Sequence, residues 1–461
     1  MKLFVTIQRP DYFVPWQNNE LFSGSGSGFI IDGKKILTNA HVVSDARFIQ
    51  VQKQGDSRRY MATVTFAAHD CDLAVLSVRD DSFFDNTHPA RFAGTMPGLN
   101  EEVTVIGYPR GGLRLSITKG VVSRMDYAIY SHSSRDHHLV LQVDAAINAG
   151  NSGGPVVFDD KVIGLAFQVL THAENIGYAI PLPVLSRFLA DIEDGTYHGY
   201  PELGAAFMNT RNPALRADMR LPSADGGVAV YYLDPFGSGT GVLKPGDVLM
   251  SVDGYPIASD GSIEFNNNRM LFAELLERKQ IGDTVDFNVH RGEAQMDITV
   301  PLKTSRDPYA YRNIYDKQPE YYIFGGLVFS PLTRPYLRAL NPDAGDRNEQ
   351  QLIYYSEYAK LDGLYKGRDE FVVLTARLPH KVNAYADGFL NGIVSKVNNR
   401  PVRRLQDVKT AAENHNGPYH TVEFIGMEDM FVMDAGDARR AEAEILSDYG
   451  VPSPANFEDN Q

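Results

Sequence analysis

Over residues 1 to about 180 the chain is cut into short β-rich runs, most of them separated by Gly, Asp or Pro, and this rhythm limits what it can fold into. Gly28–Gly33, Lys35–Thr38, Ala62–Phe66, Leu73–Val78, Glu102–Gly107, Leu139–Val143, Pro155–Phe158 and Val162–Phe167 each have strand length. Many short strands with frequent turns predict an all-β barrel or sandwich. From Pro183 to Ile192 the pattern turns helical, with Leu185, Phe188, Leu189 and Ile192 on one face. Asp194-Gly195 ends that helix, because glycine accepts the left-handed cap. The first domain is expected to span 1–198.

A second unit, 199–305, has strands at Gly227–Leu233 and Gly246–Val252, then the tight-turn pair Asp253-Gly254. A helix is expected at about Met270 to Arg278 and a strand at Thr284–His290. A third unit, 306–435, repeats this order loosely. It has strands at Ile323–Phe329, Phe371–Leu374, Asn391–Val397 and Thr421–Ile425, with a helix near Leu405 to Asn414. Two units of one element order suggest a duplicated module. Residues 436–461 read as a polar tail, part helix and then frayed.

Composition excludes several functions. The 461 residues carry 44 Lys and Arg against 58 Asp and Glu, a net charge of −14, which disfavours nucleic acid as a partner. With 43% hydrophobic residues the chain is an ordinary globular sequence. The single cysteine, Cys71, rules out an internal disulfide and a cysteine metal cluster. No apolar run is long enough to cross a membrane. Met1 to Phe13 does not read as a signal peptide, and there is no Asn-X-Ser/Thr sequon. The chain is therefore expected in the cytoplasm or another soluble compartment, or in the periplasm or an organelle lumen if a targeting segment is missing. No cofactor or metal is expected; His137-His138 lack further ligands at zinc spacing and read as a loop.

Three signals fall in order in the β-rich domain: Thr38-Asn-Ala-His41, His69-Asp-Cys-Asp72-Leu-Ala-Val-Leu76, and Asp144 through Gly150-Asn-Ser152-Gly-Gly-Pro155. A serine hydroxyl is a weak nucleophile and needs a base to take its proton. Histidine suits that task near neutral pH, and a carboxylate on its far nitrogen fixes its tautomer. Asp72 and Asp70 compete for that place. The tetrahedral intermediate needs aligned N–H donors, and the glycines around Ser152 let the backbone of Gly150 and Ser152 supply them.

These motifs resemble those of the HtrA/Deg family of serine proteases. The match takes in Gly26-Ser-Gly-Phe-Ile-Ile31, Leu37-Thr-Asn-Ala-His41, Asp72-Leu-Ala-Val-Leu76, Val143-Asp-Ala-Ala-Ile-Asn148 through Pro155, and Asn175-Ile-Gly-Tyr-Ala-Ile-Pro181. Phe324-Gly-Gly-Leu-Val-Phe-Ser-Pro331 resembles the second PDZ-like domain of the plant-organelle type. The resemblance covers about 1 to 435. It implies a mainly β protein, a chymotrypsin-like double β-barrel followed by two PDZ-like α+β domains. It implies an ATP-independent serine endopeptidase acting on unfolded or damaged proteins, with His41, Asp72 and Ser152 as triad. The family places its aspartate directly before the Leu-Ala-Val-Leu strand, which selects Asp72.

The resemblance also carries finer expectations. Leu203, Gly204, Ala205 and Ala206 lie where the family grips a peptide C-terminal carboxylate, with the peptide adding a strand to the sheet edge. Phe324 to Phe329 is the corresponding segment of the third unit. Ala146, six residues before Ser152, lies at the base of the substrate pocket, with Ile147 and Phe167 beside it; an uncharged base favours cleavage after Val, Ala, Ile or Leu. Family members are trimers, and Tyr12, Phe13 and Trp16 are candidate interface aromatics for a homotrimer or a multiple of it. The competing reading is a PDZ scaffold or holdase whose protease domain rests.

Overall fold

The structure is a computed structural model. It describes every residue except 110–111, 113, 170–176, 223–225, 266–267, 305–312, 342–345 and 458–461. Asn175 and Ile176 of the last quoted motif, the expected boundary at 305/306 and the last four residues lie outside the described residues. The chain divides into two compact units, one of residues 1–7 and 22–307, the other of 8–21 and 308–461.

The first unit opens with thirteen strands. They are β1 (Lys2–Ile7), β2 (Phe22–Ser27), β3 (Phe29–Ile31), β4 (Lys35–Thr38), β5 (Ala46–Gln52), β6 (Tyr60–Ala68), β7 (Leu73–Val78), β8 (Glu102–Gly107), β9 (Ser116–Ile129), β10 (His137–Val143), β11 (Pro155–Phe158), β12 (Lys161–Val169) and β13 (Gly177–Pro181). β1 to β7 form one antiparallel sheet in the order β2-β1-β5-β6-β7-β4-β3. β8 to β13 close into a barrel, β10-β13-β12-β11-β8-β9. The two halves share a core. Leu37, Leu73 and Val75 of the first pack with Leu139, Leu165 and Ile180 of the second, and Val184, Leu185, Phe188 and Ile192 cap the seam.

That cap is the helix Leu182–Asp191, within a residue of the expected span. Leu185 and Phe188 are fully buried, and Gly195 closes the following turn at φ +91. Five strands escaped the sequence reading: β1, β2, β5, β9 and β13. The longest, β9, carries half-exposed residues and a central glycine, so it lacks the apolar run that marks a buried strand. Gly120 is not a turn residue. A Cβ there would lie 2.3 Å from the Ala145 nitrogen, so the glycine serves close backbone approach.

The rest of the first unit is a sheet with strand order Ala205–Asn209, Val228–Leu233, Val248–Val252, Thr284–Arg291 and Ala294–Pro301. Asp253 and Gly254 both have positive φ, as the tight turn requires. The helix expected from Met270 is shorter, Ala273–Leu276, because Asn268–Leu271 pairs instead with Ser262–Phe265.

The second unit holds two four-stranded sheets. One runs Val372–Arg377, Leu327–Pro331, Tyr321–Phe324, Ala455–Asn456; the other runs Arg400–Pro401, Val394–Val397, Tyr419–Phe424, Met430–Asp434. The helix Leu405–Glu413 stands where expected. The strand expected over Ile323–Phe329 is instead a hairpin, because Gly325 and Gly326 both take positive φ and turn the chain. The tail is not frayed through its described length. Ala435–Asp448 is a helix burying Ala435, Ala438, Ala441 and Ile445, and Ala455–Asn456 pairs with Tyr321–Tyr322. Of the aromatics expected at a subunit interface, Trp16 packs against the core of this unit, whereas Phe13 stays 41% exposed. Trp16 lies edge-on to Tyr321 at 5.7 Å and Phe13 to Tyr336 at 6.2 Å.

Phe188 is fully buried in the seam, so Phe188→Ala is expected to cost about 3–5 kcal/mol. The measurement is urea unfolding followed by circular dichroism. The first unit's transition should move to lower urea, and an unshifted midpoint would contradict the seam.

Candidate active site

The site is assembled from three turns. His41 lies in a single helical turn, Ala40–Val43, that follows β4. Asp72 ends the β6–β7 turn with φ +55, and Ser152 precedes β11. Asp72 is completely buried. Its carboxylate accepts the backbone N–H of His41 at 2.7 Å through Oδ1 and meets His41 Nδ1 at 2.7 Å through Oδ2. Its carbonyl accepts Ala40 N–H at 3.2 Å and Asn39 Nδ2 at 3.0 Å. The competitor Asp70 faces elsewhere, accepting from Tyr197 hydroxyl at 2.6 Å and from Cys71 N–H at 2.9 Å.

Burial opposes charge on both partners. It would lower the His41 pKa, but the charge and hydrogen bond of Asp72 outweigh it and hold His41 above its ordinary value. Burial would likewise raise Asp72, and the His41 charge and hydrogen bonds hold it below the usual carboxylate range.

Ser152 is fixed by Ser27 of β2, a residue the sequence reading did not single out. Ser27 N–H donates to Ser152 carbonyl at 2.8 Å, and its hydroxyl donates to Gly150 carbonyl at 2.8 Å. A Cβ on Gly26 would lie 2.6 Å from the Val42 side chain and 3.4 Å from Ser152 carbonyl, so the His41 turn and the Ser152 turn meet at this glycine. Gly153, with φ +85, leaves no room for a side chain: a Cβ would lie 2.0 Å from Ser27 carbonyl. Ser152 hydroxyl donates to Phe167 carbonyl at 3.3 Å. Among the described residues the N–H groups of Gly150 and Ser152 donate to no acceptor.

Ala146 is exposed and Ile147 is buried against Gly177. Phe167, expected beside the pocket, turns its ring into the core, 4.6 Å from the Tyr130 ring and 3% exposed, so it offers its carbonyl and not a wall. His138 is not in a loop. It sits buried in β10, its Nδ1 2.5 Å from Glu277 Oε2 just past the helix Ala273–Leu276.

The carbonyls of Glu202, Leu203 and Gly204 all accept from the turn 234–239, donated by Ser238, Gly239 and Asp234 N–H at 2.9, 2.8 and 2.6 Å. In trans peptides the N–H groups of Leu203, Gly204 and Ala205 then point the opposite way. Gly204 has φ +66, and a Cβ there would lie 2.5 Å from Gly237 Cα. Ala205–Asn209 is the edge strand of its sheet. The corresponding strand of the second unit, Leu327–Pro331, has both edges filled, by Tyr321–Phe324 and Val372–Arg377.

Comparison with known proteins agrees with this geometry. Residues 26–165 match the trypsin-like peptidase domain and residues 311–456 a PDZ domain. The chain is 37% identical to Protease Do-like 2, chloroplastic, of Arabidopsis thaliana over 98% of its own length and 74% of that protein. It is 34% identical to Protease Do-like 4, mitochondrial, of the same plant, covering 99% of this chain and 85% of that protein. Against the serine protease DegP homolog of Plasmodium falciparum it is 30% identical, over 88% of this chain and 57% of that one. Among solved structures, an AlgW variant of the HtrA-type proteases with a decapeptide shares the fold at a TM-score of 0.51 and 22% identity, covering 68% of this chain and 94% of that one. A sheet and a barrel meeting at a histidine held by a buried aspartate and at a glycine-walled serine, with this sequence identity along almost the whole length, make the chain a serine endopeptidase of the Do-like (HtrA/Deg) protease family.

Proposed function

We propose that this endopeptidase cleaves unfolded polypeptides, with Ser152 as nucleophile, His41 as general base and then acid, and Asp72 holding the imidazole. The observation that carries the reading is the Asp72 carboxylate, out of water and bonded twice to His41. It fixes Nδ1–H toward itself and leaves Nε2 to take the serine proton. The unengaged N–H groups of Gly150 and Ser152 receive the oxyanion. The exposed, uncharged Ala146 and the buried Ile147 suit a small to medium aliphatic side chain before the cut. Leu203 to Ala206 hold a peptide C-terminus, with the free edge Ala205–Asn209 taking the peptide as an added strand. Strand addition at Leu327–Pro331 is not part of the proposal.

Self-association as a homotrimer, or a multiple of one, is supported by the exposed apolar residues Phe22, Phe48 and Met61 of the first sheet, in place of Trp16. No helix among the described residues is long and apolar enough to cross a membrane. Relatives named chloroplastic and mitochondrial favour an organelle lumen. One observation favours the holdase reading: Ser152 hydroxyl bonds Phe167 carbonyl, not His41. In this arrangement the serine hydroxyl is not yet paired with its base.

Digestion of an unfolded protein, with cut sites mapped by mass spectrometry, tests the function. Ser152→Ala should lower kcat by roughly 10⁴-fold or more. Most wild-type cuts should follow Val, Ala, Ile or Leu; a majority after Lys or Arg, or after Asp or Glu, would overturn the pocket assignment.

The acid limb tests the pair. Neutral His41 is the active form, so activity rises with pH through a pKa held above the ordinary histidine value of about 6.5. Asp72→Asn removes the charge that raises it, so the limb should move to lower pH while kcat falls roughly 10⁴-fold. An unmoved limb would show that Asp72 does not set it.

For the Leu203 to Ala206 segment, a peptide with a free apolar C-terminus should bind at least about tenfold more tightly than its C-terminal amide, since charge-assisted hydrogen bonds are lost. Equal affinities by fluorescence anisotropy would remove this assignment.

A further inference from the structure

His69 and His132 take no part in the chemistry assigned above, yet they meet beside it. His69 Nδ1 and His132 Nε2 face each other at 2.9 Å, with ring centres 5.2 Å apart. The His132 ring centre lies 6.1 Å from that of His41. Both imidazoles hang from fixed backbone. His69 precedes Asp70 and Asp72, whose carboxylates are tied as described above. His132 follows the buried Tyr130, whose hydroxyl donates to Leu139 carbonyl at 2.6 Å and whose N–H donates to Asp136 carbonyl at 2.9 Å.

We propose that His69 and His132 bind one zinc-type divalent cation beside His41, and that the bound ion switches cleavage off. Neutral imidazole nitrogens bind such an ion at about 2.0–2.1 Å, which sets two ligand nitrogens about 3.3 Å apart at a tetrahedral angle. The pair is a few tenths of an ångström from that spacing. In the empty state one of the two facing nitrogens carries a proton. On binding, both nitrogens offer lone pairs to the ion and that proton is released to solvent. The Asp72 carboxylate in the adjoining turn, which interacts with His132, favours a cation here. Among the described residues no group of three or more His, Cys, Asp or Glu is arranged around a metal position. The site therefore has two protein ligands and water for the rest, which makes it exchangeable and regulatory, not structural.

Inhibition follows from charge. His41 becomes an imidazolium when it takes the serine proton, and a doubly charged ion held on His132, whose ring centre is 6.1 Å from that of His41, opposes that step. This half rests on His41 as the general base; the binding half does not.

The test uses the full chain with zinc chloride as the probe. Cleavage of an unfolded protein should fall at least tenfold at micromolar zinc and return with EDTA. His69→Gln and His132→Gln, each compared with its own zinc-free rate, should lose less than twofold. Calorimetry on Ser152→Ala should show one zinc site that disappears on adding His69→Gln. Crystals of Ser152→Ala soaked in zinc, which need no histidine variant, should show an anomalous peak between His69 Nδ1 and His132 Nε2. Absence of that peak at saturating zinc, or unchanged inhibition in both histidine variants, overturns the site. Zinc held there without loss of activity overturns the switch and leaves the binding assignment standing.

Discussion

A buried carboxylate organises this protease. Asp72 has no contact with water, and an unpaired charge in such a place would be strongly unfavourable. It stays ionised because one residue, His41, gives it two hydrogen bonds, and removing one partner of such a pair is far more costly than the pair itself contributes. The same aspartate accepts Ala40 N–H and Asn39 Nδ2 on its carbonyl, so the β6–β7 turn and the helical turn after β4 are locked to each other. Ser27 extends the lock into the closed barrel, binding the backbone on both sides of Asn151. The catalytic geometry is thus a property of strand ends in the sheet and the barrel, not of any loop alone.

A second polar junction lies within the first unit. Glu277 accepts from Tyr127 hydroxyl at 3.2 Å and meets His138 at 2.5 Å. Arg187 stacks its guanidinium 3.8 Å over the Tyr200 ring and donates to Gly199 carbonyl at 2.6 Å, while Gln280 Nε2 reaches back to Arg187 carbonyl at 3.1 Å. Burial would lower the His138 pKa, and Glu277 raises it by more. Tyr130 stands between His138 and Phe167, in ring contact with both. The carbonyl that holds Ser152 hydroxyl therefore belongs to a residue packed, through one tyrosine, against this junction.

The site was legible where residue type alone carries chemistry. His41, Asp72 and Ser152 stand out because nucleophile, base and orienting acid need those side chains, and Gly150 and Gly153 because only glycine relaxes at φ +99 and +85. What the sequence hid was partner identity. Ser27 is one small residue in a Ser-Gly run, and nothing local says that it clasps residues more than a hundred positions away. His138 read as loop because its partner, Glu277, lies as far off. Phe167 could be named beside the pocket but not oriented, since its ring direction depends on Tyr130. In the fold, buried alternating strands were readable, whereas β9, half-exposed and broken by Gly120, was not. The Gly325-Gly326 hairpin was mistaken for one strand because the flanking residues are apolar on both sides.

The central claim is that Asp72-held His41 activates Ser152 and no other serine. The most direct measurement is labelling of the intact chain with a fluorophosphonate, followed by peptide mass mapping. One adduct on Ser152, lost in His41→Ala, is the result predicted here. An adduct on another residue, or Ser152 labelled equally well without His41, would contradict it.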